Sequence, residues 1–371
     1  MKTKKILTAN LTPGMVTAES AYTYTNHLVI QSNTVLTDEI IDKLKYYAVK
    51  SVKILVEEDS DEASNNTADN SANSSIIDND KPTYFERIQQ SAEFKDFNKE
   101  FDNCMDNFRT SLNDIVVKST DGIVDSMLDD VSHIMQKTRN PLHLLDMMQC
   151  MRGYDDLTYT HSMNVALICN VLGKWLHLSE NDLDILTTAG LLHDIGKLKI
   201  PEEIIKKPGK LTDYEFEQIQ NHPQYGYDIL RGKKLDSRIK LAALQHHERF
   251  DGKGYPNHLA GNDIDYIASI VTIADVYDAM TSDRCYRKGI CPFPVLEDLE
   301  RTKDRYEPSA LYTFMQHTVE AYINTEVLLS NGEKGRVVLI NKNFLSRPIV
   351  ITDKKTYDLS KDSSIQITAL I

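Results

Sequence analysis

The stretch "IKLAALQHHERFDGKGYP", residues 239–256, sets the reading of the chain. Its first half is helical in character and ends on two adjacent histidines, His246 and His247. Neighbouring side chains on a helix point about 100° apart, so the two imidazoles cannot share one amphipathic face. They suit two different partners. The second half turns through Gly252 and Gly254 into Tyr255 and Pro256. The glycines let the backbone turn tightly and leave Tyr255 and Pro256 to shape a rim.

Working outward, residues 150–325 alternate helical stretches with short loops and show few strand signals. "SENDLDILTTAGLLHDIG" starts with Ser179 and Asp182 at capping-box spacing and reads as a helix stopping at Gly196. Thr212 and Glu215 offer a second capping box, and Pro201 stands where a first-turn proline is tolerated. This predicts an all-helical domain over 150–325. Upstream, residues 82–149 are also helical, with Phe94, Phe97, Phe101, Phe108, Leu112 and Ile115 recurring at steps of three, four and seven. Packing against the next domain is the plainer reading of that stripe; a homodimer seam is the other. Residues 59–81 are rich in Ser, Asn and Asp and read as a flexible linker. Residues 1–58 combine strand runs with a helical stretch that Thr37 could cap, giving a small α+β module. Residues 326–371 return to strand periodicity around Asn331, Gly332 and Gly335, a small β module of barrel-like character. The fold class is therefore mainly α, with small modules at both ends.

Composition narrows the partners. The 371 residues carry a formal net charge of −13, which argues against nucleic-acid polymers and anionic membrane surfaces. No apolar run approaches a membrane span. The five cysteines are scattered without a C-x-x-C pair, and the start lacks an apolar signal-peptide core, so the expectation is a cytoplasmic protein with free thiols.

Of the eleven histidines, five collect in the helical domain: His161, His193, His222, His246 and His247. Asp194 follows His193, and Asp275 lies in the otherwise apolar "IVTIADVYDAM". Singly, a histidine near a helix end is most often a cap, and a His-Asp dipeptide means little. An aspartate in an apolar helix is costly to bury unless it is paired or metal-bound. Together, five imidazoles and two carboxylates suit Fe, Mn, Zn or Ni, whereas a structural zinc site would call for thiolates. Seven ligands exceed the needs of one ion; two ions bridged by a carboxylate would use them.

In order along the chain, "THS" at His161, "HDIGK" at His193–Lys197, "HP" at His222 with Gly226 beyond, "HHE" at His246–Glu248, "DGKGYP" at Asp251–Pro256 and "IADVYDAMTSDRCYR" at Ile273–Arg287 resemble the HD-GYP family of metal-dependent phosphohydrolases. The resemblance covers roughly residues 150–325. More weakly, "LTPGMV" resembles a module found ahead of this domain in bacterial proteins. The resemblance implies an HD helical bundle and hydrolysis of the bacterial second messenger cyclic di-GMP to pGpG or GMP by a metal-activated hydroxide. It implies two divalent ions, Fe or Mn first and Zn or Ni next, held by His161, His193, Asp194, His222, His246, His247 and Asp275, with Asp194 as bridge. Lys197 would contact the scissile phosphate, and Arg284 and Arg287 the phosphate or guanine. Gly254, Tyr255 and Pro256 would border the substrate, and the same loop would meet partners such as GGDEF diguanylate cyclases. Some members place a glutamate four residues before the first histidine to help hold a third metal; here that residue is Leu157, with Asp155 and Asp156 on another face, so two ions are expected.

Taken without the resemblance, Lys197 reads equally as a surface cation at a helix C-terminus. Arg284 and Arg287 could pair with Asp278 or Asp283 on the surface, and Glu248 could support a ligand histidine or cap a helix end. Two other functions stand beside hydrolysis of cyclic di-GMP: a non-catalytic cyclic di-GMP receptor or scaffold, and a hydrolase of another nucleotide such as cyclic GMP-AMP or pGpG.

Overall fold

Apolar spacing places the core of this chain in its helices, and the computed structural model shows how they are layered. The structure describes residues 2–8, 11–22, 28–37, 40–41, 44, 51–56, 84–118, 120, 122–151, 157–207, 210–282 and 291–371. They fall into two compact units, one of residues 1–80 with 206–216 and the other of residues 81–205 with 217–371.

In the first unit, β1 (Lys2–Leu7) and β4 (Ser51–Val56) form an antiparallel pair in which Lys4 faces Ile54 and Ile6 faces Val52. Two short strands, β2 (Ala21–Tyr22) and β3 (Leu28–Ile30), form a second pair. Leu11, Ile30, Leu36, Ile41, Leu44, Val52 and Ile54 make a small core. Thr37 Oγ1 accepts from the Ile40 amide at 3.3 Å, the cap its position predicts. Strand β1 has no counterpart in the sequence reading, because its lysines hide the alternation. The expected linker, 59–81, lies outside the described residues.

The second unit is an all-helical body carrying a β-sheet. It opens with α1 (Tyr84–Gln90), α2 (Ala92–Val117), α3 (Ile123–Gln136) and α4 (Pro141–Cys150). Ser91 caps α2 by accepting from the Phe94 amide. The aromatic stripe of α2 is buried within the unit: Phe97, Phe101, Phe108, Leu112 and Ile115 pack toward α3 and α5 (Leu157–Trp175). The apolar face is thus covered by the chain's own helices.

Next come α6 (Glu180–Leu192), a 3-10 turn (Ile195–Lys199), α7 (Glu202–Ile205), α8 (Asp213–Gln220), α9 (His222–Leu230), α10 (Ser237–Gln245), α11 (Tyr266–Ser282), α12 (Phe293–Arg301) and α13 (Pro308–Ala321). Ser179 caps α6 by accepting from the Asp182 amide at 3.2 Å. At the start of α8, in the 206–216 stretch that belongs to the first unit, Thr212 and Glu215 bond reciprocally, side chain to amide in both directions, at 3.2 and 2.7 Å. Helix α6 ends at Leu192 rather than at Gly196: His193 takes the C-cap, and the chain tightens into the 3-10 turn.

The C-terminal module is a five-stranded antiparallel sheet ordered β8-β7-β6-β5-β9, from β5 (Glu326–Leu329), β6 (Lys334–Asn341), β7 (Phe344–Thr352), β8 (Thr356–Asp358) and β9 (Ile367–Leu370). It is an open sheet, with no β8–β9 pair among the described residues. The carboxylate of Glu300 on α12 accepts from the Leu345 and Ser346 amides at 2.8 and 3.3 Å, tying the sheet to the helices. One apolar core runs from Phe85 through the helices to Leu370. No helix among the described residues is long and apolar enough to cross a membrane.

Candidate metal centre

A helix leaves its last four carbonyls without intrahelical partners, and the site uses those orphans three times. His193, just past α6, puts Nδ1 2.8 Å from the Gly190 carbonyl. His222, just past α8, puts Nδ1 2.6 Å from the Ile219 carbonyl. His246, just past α10, puts Nδ1 3.1 Å from the carbonyls of both Ala242 and Ala243. A carbonyl only accepts, so each Nδ1 carries the proton and each Nε2 is left with a bare lone pair. All three rings are buried.

These lone pairs converge on Asp194, itself 2% exposed. His193 Nε2 lies 3.3 Å from Asp194 Oδ2, and His222 Nε2 and His246 Nε2 lie 3.2 and 3.7 Å from Oδ1. The Nε2 atoms of His222 and His246 are 3.0 Å apart. Backbone packing enforces this closeness. A Cβ on Gly196 would stand 1.9 Å from the His222 carbonyl oxygen and 2.5 Å from the Gly226 amide nitrogen, so only glycine lets the turn after Asp194 approach α9.

His161 is held differently. It lies inside α5, away from any helix-end carbonyl, and its Nδ1 meets the Asp278 carboxylate at 2.7 Å. Its Nε2 faces Asp275 Oδ1 at 3.1 Å and Asp194 Oδ2 at 3.7 Å. Asp278 is 3% exposed and also accepts from Asn164 Nδ2 at 3.0 Å. The surface pairing considered for Asp278 is thus replaced by a buried role, which sequence reading missed. The available signal was the spacing: His161 and Asn164 on α5, and Asp275 and Asp278 on α11, each three residues apart and so on one helical face.

His247 Nδ1 lies 3.9 Å from Asp275 Oδ2, and its ring stacks on Tyr255 with centroids 4.7 Å apart and planes at 24°. The loop after it is tied down. Glu248, 1% exposed, accepts from the amides of Asn257 and Leu259 at 2.7 and 3.0 Å. The Tyr255 amide donates to the His247 carbonyl at 3.2 Å. Gly254 is buried against this backbone: a Cβ there would lie 2.3 Å from Glu248 Cα and from the Arg249 amide nitrogen. Tyr255 and Pro256 are only half-buried, but Tyr255 is engaged with His247 rather than free on a rim.

Burial alone would raise the Asp194 carboxyl; the charged surroundings, the Lys197 ammonium first, outweigh it and hold the group well below the usual carboxylate range. Lys197 Nζ lies 2.5 Å from Asp194 Oδ2. Asp275 is also held low, its burial outweighed by His161. Burial opposes charge on His161 too, but its bonds to Asp275 and Asp278 push it up to about 10. Burial and the neighbouring imidazoles push His246 and His247 well down, so both favour the neutral, ligating form.

Donor atoms gather in three overlapping trios: His222, His246 and His247; His161, His193 and Asp275; and His193, Asp194 and His246, each within 4.8 Å. All seven residues of the candidate cluster are therefore brought together, with Lys197 at its edge. Arg284 and Arg287 lie outside the described residues, as do Asp155 and Asp156. The chemistry of the cluster fits cations. Lone pairs face lone pairs and a carboxylate without a proton to share, and His193 Nε2 and Asp194 Oδ1 are buried without a hydrogen-bond partner. Such a convergence is costly unless a positive ion fills it.

Residues 127–310 match the family model described as HD domain. This stretch, which holds the clustered histidines and the Gly-Tyr-Pro loop, is an HD domain of the HD-GYP type. A cyclic di-GMP phosphodiesterase of Pseudomonas aeruginosa is 34% identical over 213 residues, 57% of this chain and 51% of the relative. A 3′3′-cGAMP-specific phosphodiesterase of Vibrio cholerae is 39% identical over 163 residues, 43% of this chain and 31% of the relative. A cyclic di-GMP phosphodiesterase response regulator of Xanthomonas campestris is 42% identical over 165 residues, 44% of this chain and 43% of the relative. The chain thus spans about half or less of the length of these relatives. Among solved structures, an HDG"Y"P protein from Bdellovibrio bacteriovorus aligns over 84% of this chain and 98% of its own, with 16% identity and a TM-score of 0.48.

Proposed function

We propose that this protein is a metal-dependent phosphodiesterase acting on a cyclic dinucleotide, with cyclic di-GMP as substrate. The observation that carries this is the set of three buried imidazoles whose Nδ1 atoms are tied to helix-end carbonyls while their Nε2 lone pairs meet at Asp194. Two divalent ions, Fe or Mn, would be held by His161, His193, Asp194, His222, His246, His247 and Asp275, with Asp194 shared between them. Bound there, the ions would supply Lewis acidity, acidifying a water nucleophile and neutralising the charge of a phosphodiester. The backbone carbonyls keep the imidazoles in the ligating tautomer. Lys197, partly exposed beside Asp194, would turn its ammonium toward a phosphoryl oxygen. Arg284 and Arg287 follow α11 and would grip a second phosphate or a guanine edge.

A second reading takes 3′3′-cGAMP as substrate, favoured by Vibrio cholerae relatives of that specificity at 38–44% identity. The full chain, purified without oxygen and assayed for metal, should convert cyclic di-GMP to pGpG or GMP. Fewer than two ions per chain, or no linear product with Mn or Fe in excess, would sink the enzyme reading. Conversion of 3′3′-cGAMP alone would move the substrate to the second reading.

A further inference from the structure

The two ends of the donor cluster differ in charge and in support. One end, His222, His246 and His247, offers three imidazoles and no carboxylate; two rest on backbone carbonyls and the third stacks on Tyr255. The other end, His161, His193 and Asp275, includes a carboxylate, and a second carboxylate stands behind it. His161 is gripped on both nitrogens by α11: Asp278 at Nδ1, 2.7 Å, and Asp275 at Nε2, 3.1 Å. Asn164, one turn along α5, holds the other oxygen of Asp278 at 3.0 Å. A carboxylate behind an imidazole fixes its ring and makes it a stronger donor, and added negative charge favours a dication.

We propose that the two ends take their ions unequally: the His161–His193–Asp275 end is the tighter site, and Asp278, steadied by Asn164, is the positioning residue that makes it so. This rests on the two-ion reading above. It assigns Asp278 no contact with substrate; it acts through His161.

The test is a titration of the metal-stripped full chain with Mn(II), following free Mn(II) by electron paramagnetic resonance, with circular dichroism as a check on folding. The wild-type chain should show two classes of site. Asp278→Asn, which keeps the shape but removes the charge, should weaken the tighter class by roughly ten- to a hundredfold and leave the other in place. His247→Ala should remove the looser class and spare the tighter one. Asn164→Ala should weaken the tighter class by less than Asp278→Asn, and it carries the test if Asp278→Asn does not fold. An unchanged tighter class in a folded Asp278→Asn chain, or its loss in His247→Ala, would overturn the proposal while leaving two ions. A single class in the wild-type chain would remove the two-ion reading, and this proposal with it.

Discussion

Asp194 and Asp146 are both buried carboxylates in the same helical unit, 2% and 3% exposed, yet the protein treats them in opposite ways. Asp194 faces imidazole lone pairs, and beside it the Lys197 ammonium holds it charged. Asp146, on α4, faces the hydroxyls of Tyr84 and Tyr322 at 2.6 and 3.4 Å. Burial pushes it up to about 7, with those two hydroxyls only partly opposing. The difference lies in the neighbours. Phenol hydroxyls are neutral donors that can serve a protonated or an ionised carboxyl. Imidazole lone pairs offer no proton, so the Asp194 pocket asks for a cation. One pocket suits a metal cation; the other suits a proton.

Removing the anion breaks the comparison most sharply. Asp194→Ala should strip the cluster of bound metal and lower turnover of a cyclic dinucleotide by roughly a thousandfold or more, since metal activation supplies several kcal/mol. Metal content by mass spectrometry and single-time-point product assays check both. A chain that keeps its ions and its turnover would remove Asp194 from the centre of the site. Gly196→Ala comes next. Its Cβ would overlap the His222 carbonyl oxygen, which is backbone and cannot step aside, so α9 must shift. We expect a loss of about 3 kcal/mol in stability and weaker metal binding, seen together in thermal unfolding with and without Mn(II).

Much of this pocket is legible in the sequence, and the reason is local. His193, His222 and His246 all sit at helix ends, where three- and four-residue periodicity breaks, and the orphan carbonyls that orient them are only three or four residues away. The plain reading of a histidine as a helix cap and the reading of it as a ligand turn out compatible: Nδ1 caps and Nε2 points at Asp194. What hides is long-range. Asp278 meets His161 across 117 residues of sequence, and only its three-residue spacing from Asp275 marks it. Asp146 stands in "LHLLDMMQC", an apolar helix as unwelcoming as the one around Asp275, so it carried the same signal; its partners, at positions 84 and 322, belong to other elements. The sheet at the C-terminus was legible as strands, but its open order depends on which strands pair.

A smaller effect is expected at the loop. Glu248→Ala deprives two amides of their acceptor, at a cost of about 2 kcal/mol. Tyr255 should then lose its fixed stacking on His247, and Mn(II) binding should weaken while Asp146 is untouched. Glu248→Gln, which keeps one acceptor oxygen, should recover part of the loss. Equal unfolding midpoints for Glu248→Ala and wild type would mean the loop stands without this anchor.

The smallest effect tests the proton-binding side of the comparison. Asp146 has its folded pKa raised from 3.8 to about 7, so the folded protein binds this proton more tightly than the unfolded chain. The stability it contributes is therefore fully present below about pH 4 and is lost as pH rises through about 7. Between pH 6 and pH 8 the loss should be on the order of 1 kcal/mol. Asp146→Asn keeps a polar group of the same shape for Tyr84 and Tyr322 but cannot titrate. The difference in unfolding free energy between wild type and Asp146→Asn should thus move in favour of the variant as pH rises from 6 to 8, measured by denaturant unfolding of both chains in the same metal-free buffer. If the difference is flat over that range, Asp146 is not held near neutrality. If the difference instead changes only in the acidic range, with wild type losing stability as pH falls below about 4, the tyrosine hydroxyls outweigh burial, and Asp146 is a charged carboxylate like Asp194.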